Sequence, residues 1–194
     1  MKKFLLGCLL LIALKGYNQT TYYWVGGTSA SSFTSNTNWN TALDGSGTTR
    51  AAADATDILI INGTNIGGAT PTTGTVTATI SSTTEAQLKI TGNAVVFFLR
   101  PAGGGGTGTM TIGGAAGDDF ILDAGLSLTM NSPIAEGSVV VAISSGATGL
   151  VSGNISVSGT GQNRFTTGAT GTFVFASGSS FTTNLTPTSA AYPF

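Results

Sequence analysis

From residue 108 to residue 184 the chain alternates short apolar runs with Gly, Ser, Thr and Asn. The runs are Met110-Thr111-Ile112, Phe120-Ile121-Leu122, Leu126-Ser127-Leu128, Val139-Val140-Val141-Ala142-Ile143, Ile155-Ser156-Val157 and Phe173-Val174-Phe175. Each run has the size of a strand and each gap the size of a turn. Upstream, Asp57-Ile58-Leu59-Ile60-Ile61-Asn62-Gly63 is apolar on both faces, which predicts a strand covered on both sides. Val76, Ala78 and Ile80 alternate with Thr77 and Thr79, and Leu88-Lys89-Ile90 does the same, as half-buried strands do. Residues 95–99 are apolar on both faces, so either the head of the chain folds over the outer pair or this surface meets something else. Residues 69–74 and 101–106 read as loops. No segment after residue 20 has helical periodicity.

A blurred repeat runs through these strands. Ile90, Ile112, Ile134 and Ile155 are spaced by 22, 22 and 21 residues, Phe175 follows 20 later, and Gly149 and Gly171 lie 22 apart. Such a period predicts an all-β chain wound as a parallel β-helix (β-solenoid), one turn per repeat. The alternative is an antiparallel β-sandwich, because strand spacings of about 8–12 residues suit it and Pro133 does not suit a central strand. Thin hairpin chemistry favours the solenoid: only Asn62-Gly63 is an Asn-Gly or Asp-Gly pair near clear strands.

Residues 19–56 differ from the rest. They carry Tyr22-Tyr23-Trp24-Val25-Gly26-Gly27 and Asn36-Thr37-Asn38-Trp39-Asn40. Such rings either plug the open end of a β-stack as an aromatic N-terminal cap or form a platform for sugars; packing is the commoner use of large aromatics. The chain thus divides into a signal peptide (1–18), the cap (19–56) and solenoid rungs (57–194) that are expected to continue beyond the chain end.

Composition narrows the function. The 194 residues include 29 Gly, 33 Thr and 19 Ser with only 8% charged residues, which suits β-structure and not disorder. Lys2 and Lys3 followed by eleven apolar residues (4–14) read as a secretory signal, too short to span a bilayer. Cleavage is expected near Gly16 or Asn18, and Cys8 is poorly placed for lipidation. The remaining chain has four basic and eight acidic residues, a net charge of −4, and neither Cys nor His. Disulfides and His or Cys metal sites are therefore excluded from it. The four cations Arg50, Lys89, Arg100 and Arg164 are scattered and form no stripe for nucleic acid or anionic lipid. No later segment is long and apolar enough to cross a membrane as a helix.

The order of Tyr22-Tyr23-Trp24-Val25-Gly26-Gly27, Trp39, Asp57-Ile58-Leu59-Ile60, Ala86-Gln87-Leu88-Lys89-Ile90, Leu126-Ser127-Leu128-Thr129, Gly149-Leu150-Val151-Ser152-Gly153 and Tyr192-Pro193-Phe194 resembles the N-terminal region of long extracellular β-helical proteins. Those adhesin-like proteins are exported by Gram-negative bacteria that use type IX secretion. The resemblance implies a surface-displayed or released protein, ordinarily with a C-terminal sorting domain, which this sequence does not contain.

Candidate chemistry is sparse. Asp118, Asp119 and Asp123 form the only acidic cluster. On one strand Asp119 and Asp123 would stand about 13 Å apart, whereas glycosidase carboxylates sit roughly 5–9.5 Å apart. The cluster therefore reads as a turn with solvated carboxylates. The rung 22 residues beyond Asp119 would offer Val141. A polysaccharide lyase or glycoside hydrolase would need Asp118, Asp119 and Asp123 to converge with Arg100 or Arg164. Residues 113–118 loosely resemble a calcium-binding β-roll repeat, but in one copy with the wrong spacing. Serines have no histidine to activate them. No catalytic, cofactor-binding or metal residue is assigned. The sequence points to a non-enzymatic, extracellular or cell-surface stalk or adhesive region, with glycans or cell-surface polymers as its partners. The alternatives are the β-helical carbohydrate enzyme and a carbohydrate-binding sandwich module.

Overall fold

The computed structural model describes residues 19–63, 75–99, 105–159, 162–168 and 173–184. The expected signal peptide, the loop at 69–74, Arg100, residues 101–104 of the following loop and the chain end from 185 lie outside these residues.

Thr, Val and Ile favour extended backbone, and strands make up the described fold, with two short 3₁₀ turns and no α-helix. They form three sheets. The first contains β1 (Thr21–Trp24), β3 (Trp39–Asn40), β4 (Ile58–Asn62), β7 (Gln87–Thr91), β10 (Phe120–Leu122), β13 (Gly149–Val151) and β16 (Phe173–Phe175). The second contains β2 (Ser31–Ser32), β5 (Thr75–Thr79), β8 (Val95–Leu99), β11 (Ser127–Asn131), β14 (Asn154–Ser158) and β17 (Ser180–Thr183). The third contains β6 (Thr83–Glu85), β9 (Thr107–Ile112), β12 (Ser138–Ile143) and β15 (Arg164–Thr167).

From β4 onward successive strands enter the first, second and third sheets in strict rotation, and neighbours within each sheet are parallel. Among the described residues only β1–β3 and the Asn40–Thr49 bridge pair antiparallel. The antiparallel sandwich is thereby corrected: strands far apart in sequence, not hairpin neighbours, satisfy each other's backbone groups.

The 22-residue beat is also corrected. Ile90 pairs with Leu122, Ile112 with Ile143, Ile155 with Leu128, and Phe175 with Val151. The beat therefore counts strands in different sheets, and one of its members, Ile134, lies in a 3₁₀ turn (Ile134–Glu136). True register partners from β4 onward lie between 20 (Thr75 and Val95) and 32 (Leu88 and Phe120) residues apart. The corners absorb the difference.

In-register pairing aligns like side chains. Leu59, Leu88 and Phe120 form one inward column of the first sheet, and Ile61, Ile90, Leu122 and Val151 another. The second sheet contributes Val76, Val96, Leu128 and Ile155. These residues are fully buried and share one core with Met110, Val141 and Phe165 of the third sheet. Gly149 interrupts the Phe120 column. In the notch the Phe120 and Phe173 rings stack with centroids 5.8 Å apart, across an intervening strand.

The predicted alternation in β5 holds: Val76 and Ala78, with Ile80 just beyond, are buried. Two-sided coverage does not. Ile58 and Ile60 are half-buried, and Val95 remains exposed beside half-buried Phe97.

Candidate functional site

The sequence leaves the aromatic head either a plug or a platform. Trp24, Phe33 and Trp39 have no exposed surface. Trp39 packs edge-on against both Trp24 (5.2 Å) and Phe33 (5.0 Å), and Phe33 meets Phe98 of β8 at 5.8 Å. Each indole keeps its N–H satisfied, Trp39 donating to the Phe33 carbonyl (2.7 Å) and Trp24 to that of Gly27 (3.1 Å). Buried aromatics with partnered polar tips are packing elements. A sugar platform built on Trp24 and Trp39 is therefore not available; the β1–β3 pair closes that end of the first sheet.

Sequence reasoning missed a buried charge cluster. Arg50, one of the four scattered cations, has no exposed side-chain surface. Its Nε donates to Asp57 Oδ2 and its Nη2 to Glu85 Oε2, both at 2.7 Å. The Asp54 backbone N–H donates to the same Asp57 oxygen, Thr83 Oγ1 donates to Glu85 Oε1, and Arg50 lies over the Tyr22 ring at 5.8 Å. Arg50 Nη1 is buried without a hydrogen-bond partner. Burial pushes the Glu85 carboxyl up to about 7 against the opposing pull of Thr83 and Arg50. Arg50 and Glu85 lie 35 residues apart, and nothing local in the sequence links them.

The acidic cluster of 118–123 is not what the turn chemistry predicted. Asp119 is buried. Its Oδ1 accepts from the Gly114 and Ala115 backbone N–H groups (both 2.9 Å) and its Oδ2 from that of Thr148 (2.8 Å). The carboxylate therefore clasps two successive corners, one between β9 and β10 and one between β12 and β13. Its register neighbour is Thr148, not Val141, because the first sheet advances by 29 residues here. Asp118 accepts from Thr148 Oγ1 (3.0 Å), and Asp123 stands exposed beyond the opposite end of β10. Arg164 belongs to β15 in the third sheet. Asp119 is occupied by three backbone donors, and Asp123 lies at the far end of β10 from it. A depression of about 360 Å³ beside Asp119 is lined by Gly113, Gly114, Ala115 and residues 144–147. Among the described residues no group of three or more acidic, His or Cys side chains could hold a metal ion. No described helix is long and apolar enough to cross a membrane.

The outer faces differ from one another. On the second sheet Thr77, Phe97, Thr129, Ser156 and Thr182 align, a mainly hydroxylated column. On the first, Tyr23, Ile60, Lys89, Ile121, Leu150 and Val174 are consecutive register partners. Five are half-buried and Val174 is exposed. Six strands at about 4.8 Å spacing make this stripe about 24 Å long.

No family model matches the chain, and neither the curated proteins nor the solved structures yield a match.

Proposed function

We propose that this chain is a non-enzymatic stalk or adhesive region of an extracellular protein, wound as a parallel β-solenoid from residue 57 and capped by residues 19–56. The strict rotation of strands among three parallel sheets supports the winding. The resemblance to type IX-exported adhesin-like proteins and the leader-like residues 1–18 support the location outside the cell.

The observation that carries the adhesive reading is the outer stripe Tyr23–Ile60–Lys89–Ile121–Leu150–Val174. A soluble surface ordinarily scatters its apolar groups, whereas here they form a continuous line crossed by one cation. An extended polysaccharide lying along the stack can rest its apolar ring faces on such a line. The test is retention of the protein on washed cells and on beads of insoluble polysaccharide. Wild type is retained, and the double variant Ile121→Thr, Leu150→Thr, which places β-branched side chains on both strands, elutes while still unfolding cooperatively. Absence of retention on every surface, or equal retention of the variant, overturns the adhesive reading.

A further inference from the structure

We propose that Arg50, Asp57 and Glu85 form an acid-strengthened latch that fastens the N-terminal head to the first strand of the third sheet. Among the described residues the third sheet starts with β6, whereas the first two start earlier in the chain, with β1 and β2. The segment 41–57 between β3 and β4 reaches β6 through a side chain, the Arg50 guanidinium. That segment is otherwise fixed by backbone bonds: Arg50 N–H to the Trp39 carbonyl, and the Ala86 and Gln87 N–H groups to the Asp57 carbonyl.

Three charges meet in this buried place. With Glu85 ionised, two carboxylates share one guanidinium and the cluster carries a net negative charge away from water. With Glu85 protonated, Arg50 and Asp57 balance. Both Glu85 oxygens still have a partner, Arg50 Nη2 on one and Thr83 Oγ1 on the other. The groups meeting Glu85 are Arg50 and Asp57 from the head and Thr83 from its own strand. The adjacent strand β9 sets Ile112 beside it, and β1 supplies the Tyr22 ring to Arg50.

The direction follows from linkage. An unfolded glutamate releases its proton near 4.5, and Glu85 in the folded chain near 7. The folded state therefore holds the extra proton between these values. Its stabilising contribution is complete below about 4.5 and is lost as pH rises through about 7. The chain contains no histidine, the residue that ordinarily titrates in this window.

The experiment follows thermal unfolding of the full chain between pH 7.5 and pH 5.5 for wild type and Glu85→Gln. Wild type gains roughly 2–6 °C on acidification, and the variant stays flat. Hydrogen exchange of the wild type, corrected for intrinsic rates, adds a reading that needs no variant. Protection of the Arg50, Ala86 and Gln87 amides rises on acidification, while that of β12 does not. A wild-type profile that is flat or falls on acidification, an equal rise in Glu85→Gln, or a uniform change in protection overturns the latch.

Discussion

Glu85 and Ile112 are register partners on β6 and β9, so a carboxylate stands at the foot of a column whose next members are Ile112 and Ile143. Ile112 and Ile143 each have a strand beneath them, and Thr167 of β15 follows as the last member. At its foot no strand lies beneath among the described residues, and the position is met by Arg50 from the head. Removing one member of a buried ion cluster leaves an uncompensated charge, and this typically costs about 3–5 kcal/mol. Arg50→Met is expected to lose that much in urea unfolding. The double variant Arg50→Met, Glu85→Ile is expected to recover about half of it, since apolar replacement of a buried pair is often close to neutral. Asp57 keeps the Asp54 N–H bond in both.

Gly149 permits the stacking of Phe120 on Phe173. A Cβ at this position would stand 2.1 Å from the Phe173 ring. Gly149→Ala must displace that ring, and with it the edge contacts of Phe165 to both aromatics. The expected loss is about 1–3 kcal/mol, seen as a lower urea midpoint with an unchanged slope.

Asp119→Ala removes the acceptor for three backbone donors at once. Each buried donor left without a partner costs on the order of 1–3 kcal/mol, less where water can enter. The depression beside Asp119 admits water, so a total of roughly 2–4 kcal/mol is expected. Faster amide exchange at Gly114, Ala115 and Thr148, with β5 amides unchanged, would localise the effect.

Much of the strand content was legible because alternation reports which face is buried. Val76, Ala78 and Ile80 lie inward as their spacing demands, and Trp24 and Trp39 are buried. Register was not legible. Strands of different sheets look alike in sequence, so Ile90 and Ile112 gave a regular beat although they belong to the first and third sheets. The role of Asp119 escaped because its partners are backbone groups on a second corner, which only the fold brings near. Glu85 and Arg50 escaped for a related reason: an isolated charge in a Thr-rich stretch looks solvated until the element opposite it is known.

Unequal spans join neighbouring strands, and yet the interior columns stay in line. A peptide spliced into a corner that carries no carboxylate clasp, unlike those at 113–119 and 144–148, would therefore lengthen the periphery while the core columns stay in register. External decoration and internal cohesion are thus separable properties of this chain, and a graft at such a site is free to diversify while the framework stays the same.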